Sequence, residues 1–302
     1  MFGHTNIDYL ATVKRLPSAD ESAAFEGPVR ALGGTAANIA AWAASLGAPV
    51  ALASFVGDDF PREFERVLTG LGVDVSHLRR VRGAKTPVCW IFTDTGERQM
   101  AFINQGAAVA GGRLPLDRAA IRSAQVVHLA TGPPAYHLRA ARFAAGTGAS
   151  VAFDPGQELS YAWSPSSFRT ILRAVDVLFL NDTERTRARL YLGARSDRSL
   201  LRFVDALVLT HGARGSEYLS RREHLTIRSA QPRRIVNTTG AGDAFRGGYY
   251  AALFRGLPPR ARLEWGAAAA SFAVETPGGQ SALATPAQLV QRMARSFRPL
   301  AK

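Results

Sequence analysis

Short apolar, β-branched runs alternate along the chain with longer stretches whose apolar positions recur at helical spacing. Val50–Val56, Val126–Ala130, Ser150–Phe153, Val175–Leu180 and Ala206–Thr210 have the length and composition of strands buried on both faces. Between and around them, Thr35–Leu46, Pro61–Leu71, Tyr136–Gly146, Ser164–Ala174 and Asp243–Arg255 read as helices. That order predicts a doubly wound, mostly parallel α/β sheet with helices on both faces, in one domain spanning 1–302. Two segments, about 12–30 and 86–104, break the rhythm with extended polar/apolar alternation, and Asp94-Thr95-Gly96 reads as the turn of a hairpin in the second. They predict a small β-structure projecting from the domain, placed as a lid.

At 302 residues and 47% hydrophobic, the chain can bury a sizeable core. No apolar run approaches the length of a membrane span, since even Ala36–Ala44 is broken by Asn38, and the first residues lack the basic and apolar regions of a secretory signal. The expectation is a soluble, cytoplasmic protein with no membrane partner. The single cysteine, Cys89, reads as a small buried hydrophobe. A formal charge of +13 raises nucleic-acid binding as a class, but only three of the 37 basic residues are lysines and the arginines are scattered in ones and twos. Without a basic stripe or interleaved aromatics the pattern argues against a nucleic-acid partner, while a positive field favours the arrival of an anionic substrate.

The densest chemistry lies at Asn237-Thr238-Thr239-Gly240-Ala241-Gly242-Asp243, directly before a helix. Small residues at 240–242 let backbone N–H groups converge where the helix dipole is positive, which makes an anion cradle. Asp243 at its rim is placed to take a proton from an attacking hydroxyl. The same residues are also compatible with a plain turn capped by Asp243. A dinucleotide fingerprint fails because Phe245 stands where its third glycine belongs, and a Walker loop fails because Lys85-Thr86 follows Ala84. Gly33-Gly34 opens an alanine-rich helix carrying a lone amide, Asn38, that needs a partner in a ligand or in the core. Asp8 follows the first apolar stretch, at the carboxyl end of a strand or in a surface turn.

Taken together, Gly33-Gly34 with Asn38, Asn181-x-x-Glu184, Thr210-x-Gly212-x-x-Gly215 and Thr239-Gly240-Ala241-Gly242-Asp243 resemble the ribokinase (PfkB) family of ATP-dependent sugar and nucleoside kinases, in order and spacing across the whole chain. Gly3-His4-Thr5, Asp8-Tyr9, Trp90–Asp94 and Phe153–Gln157 look most like the archaeal nucleoside kinase branch, which overlaps with archaeal 6-phosphofructokinases. The resemblance implies a ribokinase-like fold, ATP as phosphoryl donor and Mg²⁺. It implies that Asp243 is the general base, with the N–H groups of Gly240, Ala241 and Gly242 stabilising the transferring phosphoryl group. Asp8, Gly34 and Asn38, with Gln157, would hold the acceptor. Asn181, Thr210, Gly212 and Gly215 would lie against the nucleotide, and Glu184 would order Mg²⁺ through water. Many members carry Asp where this chain has Asn237, which puts activation by potassium in doubt.

The expected reaction is transfer of the γ-phosphoryl group to a primary hydroxyl of a ribose-containing substrate, foremost the 5′-hydroxyl of a nucleoside. Fructose 6-phosphate or another sugar is the alternative within the family, and a sensor of nucleotides or sugar phosphates is the non-enzyme alternative. Trp90, Phe92 and Phe102 fall on one strand face, suited to a base, to an ordinary lid core or to a homodimer formed through the lid. Arg98 and Arg246 are the cations that a phosphorylated acceptor would call on.

Overall fold

The computed structural model describes residues 1–96 and 98–297. Two sheets organise it. The smaller contains β1 (Asn6–Val13), β2 (Val29–Gly33), β3 (Val88–Asp94) and β4 (Gln99–Asn104) in the order β2-β1-β3-β4. The larger contains β5 (Val126–Leu129), β6 (Ser150–Phe153), β7 (Val177–Asn181), β8 (Ala206–Thr210), β9 (Ser216–Ser220) and β10 (His224–Ile227), in the order β10-β9-β8-β7-β6-β5. Strands β5 to β8 run parallel, and β9 and β10 add an antiparallel edge. This is the doubly wound α/β architecture the alternating pattern predicts. The antiparallel edge is not legible in that pattern, because β10 alternates exposed and covered positions like a loop.

Strands β5 to β8 are almost wholly buried, as parallel strands covered on both faces must be. One core cluster packs α1 (Thr35–Ser45), α3 (Ala241–Phe254) and α4 (Pro259–Ala273) on one face of the large sheet. The other packs Pro134–Ala145, Pro165–Ile171 and α2 (Asp182–Leu192) on the opposite face. Alanine makes most of the α1–α3 contact, so the two helices approach closely enough for a Cβ on Gly247 to meet Trp42 and Ala43. Among the described residues no helix is long and apolar enough to cross a membrane.

The predicted extended segments are partly corrected. The span 86–104 is the β3–β4 hairpin, but 14–28 is mostly irregular, and the first strand of the small sheet begins at Asn6. The reason lies at Phe2, which bridges both Ala53 and Leu129 and so ends the chain's part in the large sheet before the small one starts. Asp8 is therefore neither at a strand's end nor in a surface turn. It is the third residue of β1, buried, and paired in register with Ala31 and Cys89.

Candidate active site

Helix α3 opens at Gly240, whose φ of 78° is left-handed. A Cβ there would lie 2.5 Å from the Cα of Gly279, so two backbones touch at the helix entrance where no side chain fits. Asp243 is consequently the third helical residue rather than the cap, and its carboxylate points out of the first turn. The Ala241 N–H contacts the Thr238 carbonyl at 3.3 Å, and the first-turn amides that follow have no carbonyl one turn back. These amides and the positive end of a fourteen-residue helix face the same side as Asp243.

Asn38 Nδ2 donates to Asp243 Oδ2 at 2.8 Å, and Gln280 Nε2 donates to Asn38 Oδ1 at 2.9 Å. The lone amide of the alanine-rich helix is thus satisfied by two residues far away in sequence, at a place where an unmet amide would cost about 1–3 kcal/mol. Gly279 makes this possible: a Cβ there would lie 2.6 Å from Asn38 Nδ2, and its carbonyl accepts from Trp42 Nε1 at 2.8 Å. Gly34 caps α1 at φ 90°, beside the His4 carbonyl. Asp8 lies against the Gly33 backbone and faces Asp243.

Asp8, buried, and Asp243, partly buried, therefore face each other. Burial first, and then Asp243, raise Asp8 to about 7. Burial raises Asp243 to about 7 against the Asn38 hydrogen bond and the charge of Arg246, with Asp154 adding to the rise. Beneath them, Arg246 pairs with Asp154, donates from Nη1 to the Gly242 carbonyl at 2.9 Å and lies over the Phe179 ring. Burial works against its charge, but Asp154, Glu184 and Asp243 more than offset that. Arg246 is thus committed under the helix and is not a cation at the cleft mouth. Arg98 is committed as well, held by Asp94 in the hairpin turn at 2.7 Å.

Asn181 and Thr210 are register partners at the carboxyl ends of β7 and β8. Gly212 and Gly215 shape the turn that follows, closed by the His211 N–H on the Gly215 carbonyl at 2.9 Å. Asn181 and Glu184 cap α2 reciprocally: the Asn181 N–H and Nδ2 each donate to Glu184 at 2.8 Å, and the Glu184 N–H returns to Asn181 Oδ1 at 2.9 Å. Burial, Asp154 and Asp243 push Glu184 up to about 7, opposed by Arg246. Gln157 is exposed on a 3₁₀ turn, with no side-chain hydrogen bond among the described residues, while its neighbour Glu158 is buried.

The lid aromatics are displaced from the role foreseen for a base. Tyr9, Trp90 and Phe92 stack along one face of the small sheet, with Phe25 and Phe102 at their edges. Asp8 and its register partner Cys89 occupy the other face, and so does Gln99, the partner of Thr93. Gln99 fixes which face looks at the site: it exchanges hydrogen bonds of 2.9 and 3.1 Å with the Thr239 hydroxyl. The Thr239 N–H also donates to Asn237 Oδ1 at 2.7 Å, so the side chain of Asn237 is spent on the turn.

Residues 1–286 match the model of the pfkB family carbohydrate kinases. The chain belongs to that family. It is therefore an ATP-dependent phosphotransferase with an alcohol acceptor, and the sensor alternative falls. A nucleoside kinase of Methanocaldococcus jannaschii is 35% identical over 292 residues, covering 96% of this chain and 95% of that one. An ATP-dependent ribose-1-phosphate kinase of Halopiger xanaduensis is 31% identical over 285 residues, covering 93% of each. The crystal structure of the Methanocaldococcus jannaschii enzyme, described as an archaeal member of the ribokinase family, superposes with a TM-score of 0.89 at 34% identity over 97% of both chains. A Burkholderia thailandensis nucleoside kinase in complex with inosine shares the fold, with a TM-score of 0.90 at 21% identity over 98% of this chain and 97% of that one.

Asp8, Asn38 and Asp243, which the sequence marks, lie together here, and Asp154, Gly279 and Gln280 join them without such a mark. Asp154 lies inside a quoted motif, and Gly278-Gly279-Gln280 repeats the glycine-pair signal of Gly33-Gly34 that had marked α1.

Proposed function

We propose that this PfkB kinase phosphorylates the 5′-hydroxyl of a nucleoside. The carrying observation is that the acceptor wall presents two carboxylates, buried Asp8 and partly buried Asp243, while the two arginines foreseen for a phosphate ester are paired instead with acids of this chain, Arg246 with Asp154 and Arg98 with Asp94. A phosphorylated acceptor such as fructose 6-phosphate or ribose 1-phosphate would bring its dianion against like charge. A neutral ribose diol offers hydroxyls that donate to carboxylates and accept from amides. The nucleoside kinase relatives at 33–35% identity support the same reading.

In this reading Asp8, Asn38 and the Gly34 backbone orient the ribose, and Asp243 removes the proton of the 5′-hydroxyl as its oxygen bonds to the γ-phosphorus. The bond from that phosphorus to the β–γ bridging oxygen breaks, ADP leaves, and the amides of Gly240, Ala241 and Gly242 meet the charge of the transferring group. Asn181, Thr210, Gly212 and Gly215 line the side from which ATP presents its phosphates. The small sheet acts as the lid on a single domain, closing through Gln99 onto Thr239.

Glu184 fits a magnesium ion held through water. Each of its oxygens accepts one hydrogen bond from Asn181 and keeps a lone pair, and Asp154, Glu184 and Asp243 surround one guanidinium, leaving an excess of negative charge. Among the described residues there is no group of three or more His, Cys, Asp or Glu placed to hold a metal ion. When bound, the metal neutralises charge on the ATP phosphates.

The outward aromatic face, with Phe25 and Phe102 exposed, suits a second copy of the chain docking lid to lid. Sedimentation of the wild type and of Phe102→Glu tests that assembly, and a wild-type monomer at micromolar concentration would refute it. The substrate assignment is tested with nucleosides, ribose, fructose 6-phosphate and ribose 1-phosphate, each with ATP and Mg²⁺, following ADP release. A nucleoside should have the highest kcat/KM. A tenfold advantage for either phosphate ester would overturn the assignment.

A further inference from the structure

Beyond the ribose-holding residues, the same cleft wall continues into a polar cluster that phosphoryl transfer does not use. Glu158 is buried there, and every polar contact of its carboxylate is an acceptor contact. His4 Nε2 lies 2.8 Å from Oε1, Gln105 Nε2 donates to the same oxygen at 3.1 Å, the Tyr161 hydroxyl donates to it at 3.5 Å, and the Gly132 N–H donates to Oε2 at 2.6 Å. Burial alone would raise this group, but His4 and Gly132 hold it below its usual value. Glu158 stays an anion, and an anion cannot donate. Gln105 is therefore pinned with its amide nitrogen toward Glu158 and the Tyr161 hydroxyl, and its Oε1 has no hydrogen-bond partner among the described residues.

The cluster adjoins the acceptor site through both of its walls. Thr35, next to Gly34, meets Thr131 hydroxyl to hydroxyl at 2.6 Å, and Thr131 precedes the Gly132 that bonds Glu158. On the lid, Gln105 follows β4 and continues the alternation Gln99, Ala101, Ile103, the face that carries Asp8 and Cys89. Tyr161 is 58% exposed, an open ring beside this cluster, and burial, Glu158 and Cys89 together raise its phenol to about 12. The sheet aromatics Trp90 and Phe92 are on the opposite face and cannot supply such a ring.

Resting on the nucleoside reading, we propose that Tyr161 and Gln105, organised by Glu158, form the subsite for the nucleobase: the Tyr161 ring stacks on the base, and Gln105 Oε1 accepts from a ring N–H or amino group on its edge. The subsite selects bases that carry a donor on that edge, instead of tolerating any flat ring.

The test compares inosine, 1-methylinosine and free ribose as acceptors for the wild type, Tyr161→Ala, Tyr161→Phe and Gln105→Leu. Tyr161→Ala should lower the kcat/KM ratio of inosine to ribose by about tenfold, mainly through KM, and Tyr161→Phe should restore it because the ring is kept. Wild type should favour inosine over 1-methylinosine, which lacks the ring N–H, and Gln105→Leu should erase that preference. If wild type favours nucleosides over ribose but both variants leave these ratios within twofold, the subsite is overturned and the nucleoside reading stands. If wild type does not distinguish inosine from ribose, both fall. Should Tyr161→Ala fail to fold, the wild-type comparison of inosine with 1-methylinosine decides alone, equal values overturning the proposal.

Discussion

Asn38 and Asp243 are hydrogen-bonded at 2.8 Å across 205 residues of sequence. The contact joins the first turn of α1 to the first turn of α3, and it decides two things together. It satisfies an amide on an otherwise apolar helix, and it orients one oxygen of Asp243 so that the other is left for the acceptor hydroxyl.

Replacing Asp243 by Asn removes the base while preserving a partner for Asn38. Phosphoryl transfer should fall by about 10²–10⁴-fold, with ATP affinity changed little. Near wild-type turnover in single-turnover assays would remove Asp243 from the role of base.

Both Asp8 and Asp243 are raised to about 7, so below neutral pH the site holds protons that catalysis must lose. The acid limb of kcat/KM should therefore rise between pH 6 and 8, about three units above an ordinary aspartate. Stability runs the other way. An acid whose folded value exceeds its unfolded one makes the fold less stable as pH climbs from about 4 to about 7, so Asp243→Asn should gain in Tm over wild type at pH 8 and gain little at pH 4. A flat activity profile from pH 5 to 8 would contradict the raised values.

Gly279 is hemmed in by Asn38 and by Gly240. Gly279→Ala should displace Asn38 from Asp243 and open the entrance of α3, lowering kcat at least about tenfold while far-UV circular dichroism remains native. Unchanged kcat would show that this backbone approach is dispensable.

Glu184 serves both the cap of α2 and the charge balance around Arg246. Glu184→Ala should cost about 1 kcal/mol of stability from the lost cap and raise the Mg²⁺ concentration needed for half-maximal rate. Glu184→Gln, which can still accept from the Asn181 N–H, should recover the stability but not the metal response. Full activity of the wild type in excess chelator would refute a metal requirement.

Because Asn237 carries no charge and its oxygen takes the Thr239 N–H at 2.7 Å, potassium should give little activation over a bulky cation at equal ionic strength. A several-fold rise in turnover with potassium would contradict this.

What the sequence determined by itself was local. Buried β-branched runs announced the parallel strands, and the small residues at 240–242 announced a helix entrance open to an anion, because both signals depend on neighbours within a turn or a strand. The same holds for Asp8, Asn38 and Asp243, each a polar group in a setting that demands an explanation. Only the tertiary structure decided how these groups are paired. Nothing in the order of residues tells that Gly279 must meet both Asn38 and Gly240, or that Arg246 turns inward to Asp154 rather than outward to a substrate. The aromatic stripe of Trp90, Phe92 and Phe102 was legible as a stripe, but a period of two gives two faces and does not say which one looks at the site. Gln99 reaching Thr239 made that choice. It turned the aromatic face outward and left Tyr161, on the turn between β6 and the helix Pro165–Ile171, as the ring beside the cleft.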